Sequence, residues 1–281
     1  TAGATSPGAP ASKPAPDADA QPGIFDVVTL NLYHDKADWP RRQLQIIAEL
    51  RARQPDVIAL QEVLQTAELQ NQAQTLAEAL GYRFVFFSTD PQANAHRYGN
   101  ALLTRLPIGK QAQADLAPLD DHRTAGMLRL RSDGGDVDVY VTHLHWTDDG
   151  GAIRATQVQD LLAFIARNSG DGTAHVVAGD FNAPVDAPEL APLLAPHLDS
   201  SGLRHPGASA DDSTTLNPAW YTQRRRIDHI LPQQGRWDVI DTGRLFTAPD
   251  ANGTWASDHH GLQARLRLRR QENAAPSAPP P

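Results

Sequence analysis

The chain has far more strands than helices to connect them. Ten short apolar segments read as strands, over 25–30, 56–60, 82–87, 100–104, 126–130, 137–144, 174–178, 227–231, 237–240 and 262–268. Only three stretches place apolar residues at helical spacing. Asp38-Trp39-Pro40 opens the first, with a capping carboxylate and a proline in the first turn, and sets Leu44, Ile47 and Ala48 on one face. Leu69, Ala73, Leu76, Ala77 and Leu80 form the second, ended by Gly81; the third starts near Ile153 and carries Val158, Leu161, Leu162 and Ile165. Parallel neighbours need a crossover between them, so strands that follow one another directly exclude a purely parallel doubly wound sheet. Two mixed β-sheets packed face to face, with helices outside, fit this order.

No composition break interrupts 24–269, which reads as one domain. Residues 1–23 are rich in Ala, Pro, Gly and Thr, and 270–281 are Pro-rich; both read as disordered, a tether and a tail. The tether suits an exported protein, secreted, periplasmic or anchored to the envelope, whose signal segment and a lipidated cysteine lie upstream of Thr1. The other reading is a piece trimmed from a longer chain. Residues 183–218 are Pro-rich and weakly periodic, a stretch of that length is where substrate specificity is expected, and the sequence leaves open whether it forms a lid. No apolar run approaches the roughly 18 residues that span a bilayer. Without cysteine there are no disulfides and no thiolate-rich zinc sites. The formal net charge of −8 weighs against a long polyanion held non-specifically, since phosphate contacts supply most of such affinity. A monomer is expected.

Polar groups recur where the apolar strands end: Asn31, Gln61-Glu62, Thr142-His143, Asp180-Phe181-Asn182, Arg226-Ile227-Asp228-His229 and Ser257-Asp258-His259-His260. Singly, each has an ordinary explanation. Asn31 suits a turn, Glu62 a helix start, and Gly179-Asp180-Phe181-Asn182 a turn before Pro184. Together they point to one mouth at which the strand ends converge, because an unpaired carboxylate or amide in a buried strand costs several kcal/mol.

Thr29-Leu30-Asn31, Leu60-Gln61-Glu62-Val63, Tyr98-Gly99-Asn100-Ala101-Leu102-Leu103-Thr104-Arg105, Thr142-His143-Leu144, Gly179-Asp180-Phe181-Asn182, Arg226-Ile227-Asp228-His229 and Ser257-Asp258-His259 stand in this order from Phe25 to Arg269. The ordered set resembles the endonuclease/exonuclease/phosphatase superfamily of DNase I-like, metal-dependent phosphoesterases, and a small secreted bacterial-type member in particular. The resemblance implies an α/β (α+β) fold, a four-layer αββα sandwich. It assigns a metal, Mg²⁺ with Mn²⁺ as a substitute, to Asn31 and Glu62 with Asp258 nearby. It implies Asp180 for orienting or deprotonating water, Asn182 and His143 as donors to the charged transition state, and an Asp228–His259 pair as general acid/base or donor. Asn100, Arg123, His145 and Arg226 are carried as substrate-side residues, with a structural role left open for Asn100, a place behind the substrate contacts for His145, and for the run Arg224-Arg225-Arg226 either a phosphate-facing patch or a solvated face; Arg154 with Gln157 is a brace for the histidine strand. In Asp121-His122-Arg123 an Asp stands where the family more often has Glu, which puts the contact of Asp121 in doubt.

His143-Leu144-His145 also begins like the His-x-His-x-Asp-His zinc motif of the metallo-β-lactamase fold. Asp148 arrives one residue late and no His follows it, so that reading fails. The reaction expected is metal-assisted, in-line attack of water on a small or lipid-derived phosphoester. A non-specific nuclease of the same mechanism is the first alternative, and a catalytically silent binding module the second.

Overall fold

The computed structural model describes residues 23–170 and 172–269. The expected tether and tail lie outside the described residues, apart from Gly23. Eleven strands are present among the described residues. β1 (Ile24–Asn31), β2 (Val57–Gln65), β3 (Arg83–Phe87) and β4 (Arg97–Thr104) lead; β5 (Ile108–Leu116), β6 (Arg123–Ser132), β7 (Gly135–His143), β8 (Ala174–Asp180) and β9 (Asp228–Pro232) follow; β10 (Trp237–Leu245) and β11 (Gly261–Leu268) end the chain. One sheet has the order β10-β11-β1-β2-β4-β3 and the other β5-β6-β7-β8-β9. Each contains one parallel pair, β1 with β2 and β7 with β8, among antiparallel neighbours. Both sheets are therefore mixed, as expected.

The inner faces of the two sheets close on each other around Phe25, Val57, Leu102, Val139, Val176 and Trp237. α1 (Trp39–Arg53) and α2 (Gln72–Leu80) cover the outer face of the six-stranded sheet, and α3 (Gly151–Asn168) covers the five-stranded one. These are the four layers of an αββα sandwich.

Two expectations need correction. β5 adds to the ten expected strands: Ile-Gly-Lys-Gln-Ala-Gln-Ala-Asp-Leu is an edge strand in which only Leu116 is fully buried. The inner stripe of α1 is Trp39, Arg42, Ile46 and Leu50, while Leu44 and Ala48 face outward. Arg42 tolerates burial because its guanidinium donates to the carbonyls of Leu32, Tyr33, His34, Lys36 and Ala256. The stretch 183–218 folds into short helices α4 (Ala191–Leu194), α5 (Ser200–Arg204) and α6 (Ala210–Ser213), with Leu190 and Leu193 buried against α3's side of the sandwich.

Topology brings the polar strand ends together. Parallel β7 and β8 end side by side, with His143 opposite Asp180. Antiparallel β9 begins where β8 stops, with Asp228 opposite Asp180. β1 ends at Asn31, and β11 starts antiparallel to it directly after His259-His260.

Candidate active site

These ends line a cleft of about 810 Å³, entered between the loops that follow β1, β7 and α6. Asn31, Glu62, Arg123, His143, Asp180, Asn182, Asp258 and His259 all line it; Asp228 sits directly behind His259.

Asp180 is the hub. Its Oδ2 accepts from Asn31 Nδ2 at 3.0 Å and lies 3.5 Å from His143 Nε2, and its Oδ1 accepts from the Asn182 backbone N–H at 2.9 Å. Gly179 makes this seat possible. A Cβ there would run into the carbonyl oxygen of Thr142 on β7, so no larger residue fits without parting the two strands. Gly179→Ala is expected to cost about 3 kcal/mol, a backbone collision at the upper end of overpacking, measured by urea denaturation.

Burial, reinforced by the neighbouring Asp228 charge, pushes the Asp180 carboxyl up to about 7 against the opposing pull of His259 and Asn31. Asp228 Oδ2 lies 2.8 Å from His259 Nδ1, and its other oxygen is buried without a partner among the described residues. Burial alone would lower the His259 pKa, yet Asp228, Asp180 and Asp258 outweigh it and hold the imidazole well above its ordinary value. His259 is therefore an imidazolium whose Nδ1–H is committed to Asp228. His143 behaves oppositely: burial and the Arg123 guanidinium push it well below 6.5, so it is neutral.

Glu62 is not at a helix start. It sits inside β2 at an irregularity between Leu60 and Val63, with φ 56, a left-handed conformation that a non-glycine residue holds only when its surroundings impose it. The bulge turns its carboxylate toward the cleft. There Oε2 meets His34 Nε2 at 3.0 Å, and the His34 ring stacks on Tyr98 with centroids 4.9 Å apart. Burial raises the Glu62 carboxyl, but the His34 hydrogen bond and the nearby imidazoles bring it down to about 2. Asp258 accepts from the Tyr221 hydroxyl at 2.7 Å and is held up by burial.

The donor set fits a hard divalent cation. Glu62, Asp258 and Asn31 line one cleft, Glu62 is ionised throughout the working range, and oxygen ligands in small number are what Mg²⁺ takes. The Asn31 Oδ1 accepts from the Tyr33 N–H at 3.0 Å and keeps a second lone pair. A second group, Asp180, Asp228 and His259, has one ligand atom from each within 4.8 Å of the others, a spacing that could also hold a metal. With His259 and Asp228 already sharing a proton, it acts here as a proton-holding cluster.

Three substrate-side expectations place residues off the cleft. Asn100 spans the two sheets, with Nδ2 donating to Thr124 on β6. His145 is engaged on both sides, by Asp121 Oδ1 at 2.8 Å and Thr147 Oγ1 at 2.9 Å. Arg226 turns away to grip Asp199 at 2.8 and 2.6 Å. Arg154 and Gln157 do brace the loop after β7: Gln157 accepts from His145 N–H and donates to Asp121, while Arg154 donates to the carbonyls of His145 and Thr147. The shorter Asp121 thus still makes its contacts. Asn182 donates from Nδ2 to the Leu144 carbonyl at 3.0 Å, leaving one amide N–H for the cleft.

Sequence reasoning missed Tyr33, His34, Lys36 and Tyr98 as cleft residues, while Arg225, from the Arg224-Arg225-Arg226 run, does line the cleft. A signal existed for two of them, the aromatic and imidazole pair Tyr33-His34 directly after the polar end of β1. Trp146 and Trp220 stand on the rim, 67% and 37% exposed.

Residues 28–259 match the model of the Endonuclease/Exonuclease/phosphatase family. Nocturnin of Drosophila melanogaster is 29% identical over 195 residues, 64% of this chain but 30% of the fly protein, so the chain spans under a third of that relative. Among solved structures, TDP2 of D. rerio humanized by 14 mutations superposes with a TM-score of 0.73 at 18% identity, over 87% of this chain and 99% of that one. The human Nocturnin catalytic domain with bound sulfate gives 0.71 at 22% identity, over 88% and 94%. An endonuclease/exonuclease/phosphatase from Bacteroides vulgatus gives 0.73 at 19%, over 88% and 99%. At these identities the structural likeness is one of fold.

Proposed function

This chain belongs to the endonuclease/exonuclease/phosphatase family and is a phosphoester hydrolase, and we propose that it is Mg²⁺-dependent and acts on a small or lipid-derived phosphodiester or phosphomonoester. The observation that carries the reading is the junction of Asp180, Asp228 and His259 at the cleft, beside the ionised Glu62.

Hydrolysis needs a water that loses a proton, compensation for phosphoryl charge, and a leaving oxygen that is not expelled bare. Asp180, held up to about 7, has the basicity to take the proton from water. His259, cationic and fixed through Nδ1 by Asp228, has its Nε2–H to donate to a phosphoryl or leaving oxygen. The neutral His143, the free N–H of Asn182 and the Arg123 guanidinium supply further donors at the same cleft. Asn31, Glu62 and Asp258 would hold the Mg²⁺, with Mn²⁺ as a substitute, and the bound ion would compensate phosphoryl charge and favour ionisation of water.

The test is turnover of a chromogenic bis-ester, its mono-ester, sphingomyelin and plasmid DNA, with Mg²⁺ or with EDTA. Loss of turnover in EDTA and recovery with Mg²⁺ are expected, with the small esters cut fastest; undiminished turnover in EDTA would sink the metal assignment. A second reading, a nuclease acting on single strands, is favoured by Trp146 and Trp220 on the rim beside Lys36 and Arg225, since exposed aromatic faces among cations stack bases. Under it, Trp146→Ala raises KM about tenfold for an oligonucleotide and leaves the small bis-ester unchanged. We propose an exported setting, from the composition of residues 1–23; a cytosolic-type segment encoded directly before Thr1 would exclude it.

A further inference from the structure

Three arginines in sequence lead into β9, and each takes a different partner. Arg226 grips Asp199 through both terminal nitrogens, and both side chains are mostly buried. Arg224 pairs with Asp211 and donates to the carbonyls of Tyr221, Thr222 and Gln223. Of the three, Arg225 alone lines the catalytic cleft. Its one hydrogen bond among the described residues runs 2.8 Å from Nη2 to Oδ1 of Asp148, which lines the cleft too.

β8 lies between β7 and β9 in its sheet. Asp148 stands on the loop after β7 and Arg225 on the loop before β9, so their bond joins the two loops that flank the end of β8, where Asp180 stands. The guanidinium is thereby kept beside the reacting centre, but lightly. The paired side chains are 36% and 68% exposed, and an ion pair so exposed contributes little. Arg123 differs. It is mostly buried, pairs with Asp121 at 3.6 Å and acts on His143, so it serves the phosphoryl group under attack.

We propose that Arg225 determines specificity: it receives a second phosphoryl group of the substrate, apart from the one under attack, and the Asp148 carboxylate holds that place in the free protein. This rests on the hydrolase reading and narrows its substrate to a small phosphoester carrying two phosphoryl groups. A substrate carboxylate would only replace one carboxylate by another, with the cost of association added. A phosphoryl group brings more negative charge and three acceptor oxygens, which a guanidinium can meet through two parallel bonds. The cleft, of about 810 Å³, has room for such a molecule.

Adenosine 5′-monophosphate and adenosine 3′,5′-bisphosphate differ by one phosphoryl group. Isothermal titration calorimetry with Mg²⁺, on the full chain bearing Asp180→Asn so that turnover does not intrude, gives the ratio of their affinities. The bisphosphate is expected to bind about tenfold tighter or more, and Arg225→Ala should cut that ratio about tenfold, the worth of a charge-assisted hydrogen bond. Asp148→Asn should raise it about threefold, since the guanidinium is then released from its internal partner. Opposite signs from the two halves of one ion pair separate a ligand contact from a strap between loops, because a strap is lost equally from either side. Asp211→Asn makes the same change of charge at a pair off the cleft and should leave the ratio in place. A bisphosphate that binds no tighter, equal losses for both nucleotides in Arg225→Ala, or shifts of one sign in Arg225→Ala and Asp148→Asn would overturn the subsite. So would an Asp211→Asn shift as large as that of Asp148→Asn. Failure of the hydrolase reading shows separately, as absent turnover of every ester by the parent chain.

Discussion

Asp180→Asn is expected to lower kcat about a thousandfold while leaving the fold and KM close to those of the parent protein, a loss within the range set by removing a positioned general base. The amide is isosteric, and its oxygen still accepts from Asn31 or from the Asn182 N–H, the two bonds that seat the side chain. What disappears is basicity. The native carboxyl titrates near 7 because it is buried and faces Asp228, so at neutral pH it has both a populated anionic form and real affinity for a proton. Substitution also relieves a repulsion between two buried carboxylates, so stability to urea should hold or rise as activity falls. That split separates a catalytic from a structural role. If the variant keeps more than about a tenth of the native kcat, water is activated by another group.

What could be read from the sequence was the chemistry of the strand ends; what could not be read was the direction in which each side chain turns. Asn31, His143, Asp180 and His259 lie where parallel strands stop or an antiparallel strand begins, and apolar strands followed by polar groups give that away locally. Asn100, His145 and Arg226 carry the same local signature but answer to partners 24 to 27 residues distant, Thr124, Asp121 and Asp199. Asp199 begins a helix inside the weakly periodic stretch, so nothing near Arg226 foretold it. β5 escaped for a related reason. An edge strand buries little, and Ala112 and Ala114 are too small to announce its inward face. In α1 the failure was one of type: Arg42 reads as a surface residue until the five carbonyls that surround it are assembled from the loop after β1 and from Ala256. Glu62 lines the cleft from inside β2 and not from the strand's end, and the bulge that forces φ 56 there leaves no pattern in the residue types.

Asp228→Asn should shift the whole pH–rate profile of turnover toward acid and lower its plateau about a thousandfold or more, since the neutral amide cannot hold the His259 cation or its tautomer. The signs follow from the two groups that Asp228 touches. Asp180 must be deprotonated to act as base, so the rate climbs as pH rises through about 7. His259 must be protonated to donate, so the rate falls only once pH exceeds its raised pKa. Native protein therefore has an ascending limb near neutrality and a descending limb well above 6.5. Asp228 raises both groups, His259 by attraction and hydrogen bonding and Asp180 by repulsion. Its removal lowers both, and the limbs move to lower pH together. Imidazole NMR on the metal-free protein gives an independent measurement: the His259 ring should remain protonated at neutral pH in the native chain and lose that proton in the variant. A descending limb that stays in place, with His259 still protonated, would show that Asp180 and Asp258 hold the imidazolium without Asp228. The buried pair would then be scaffolding for the cleft and not the device that keeps an acid charged beside a base.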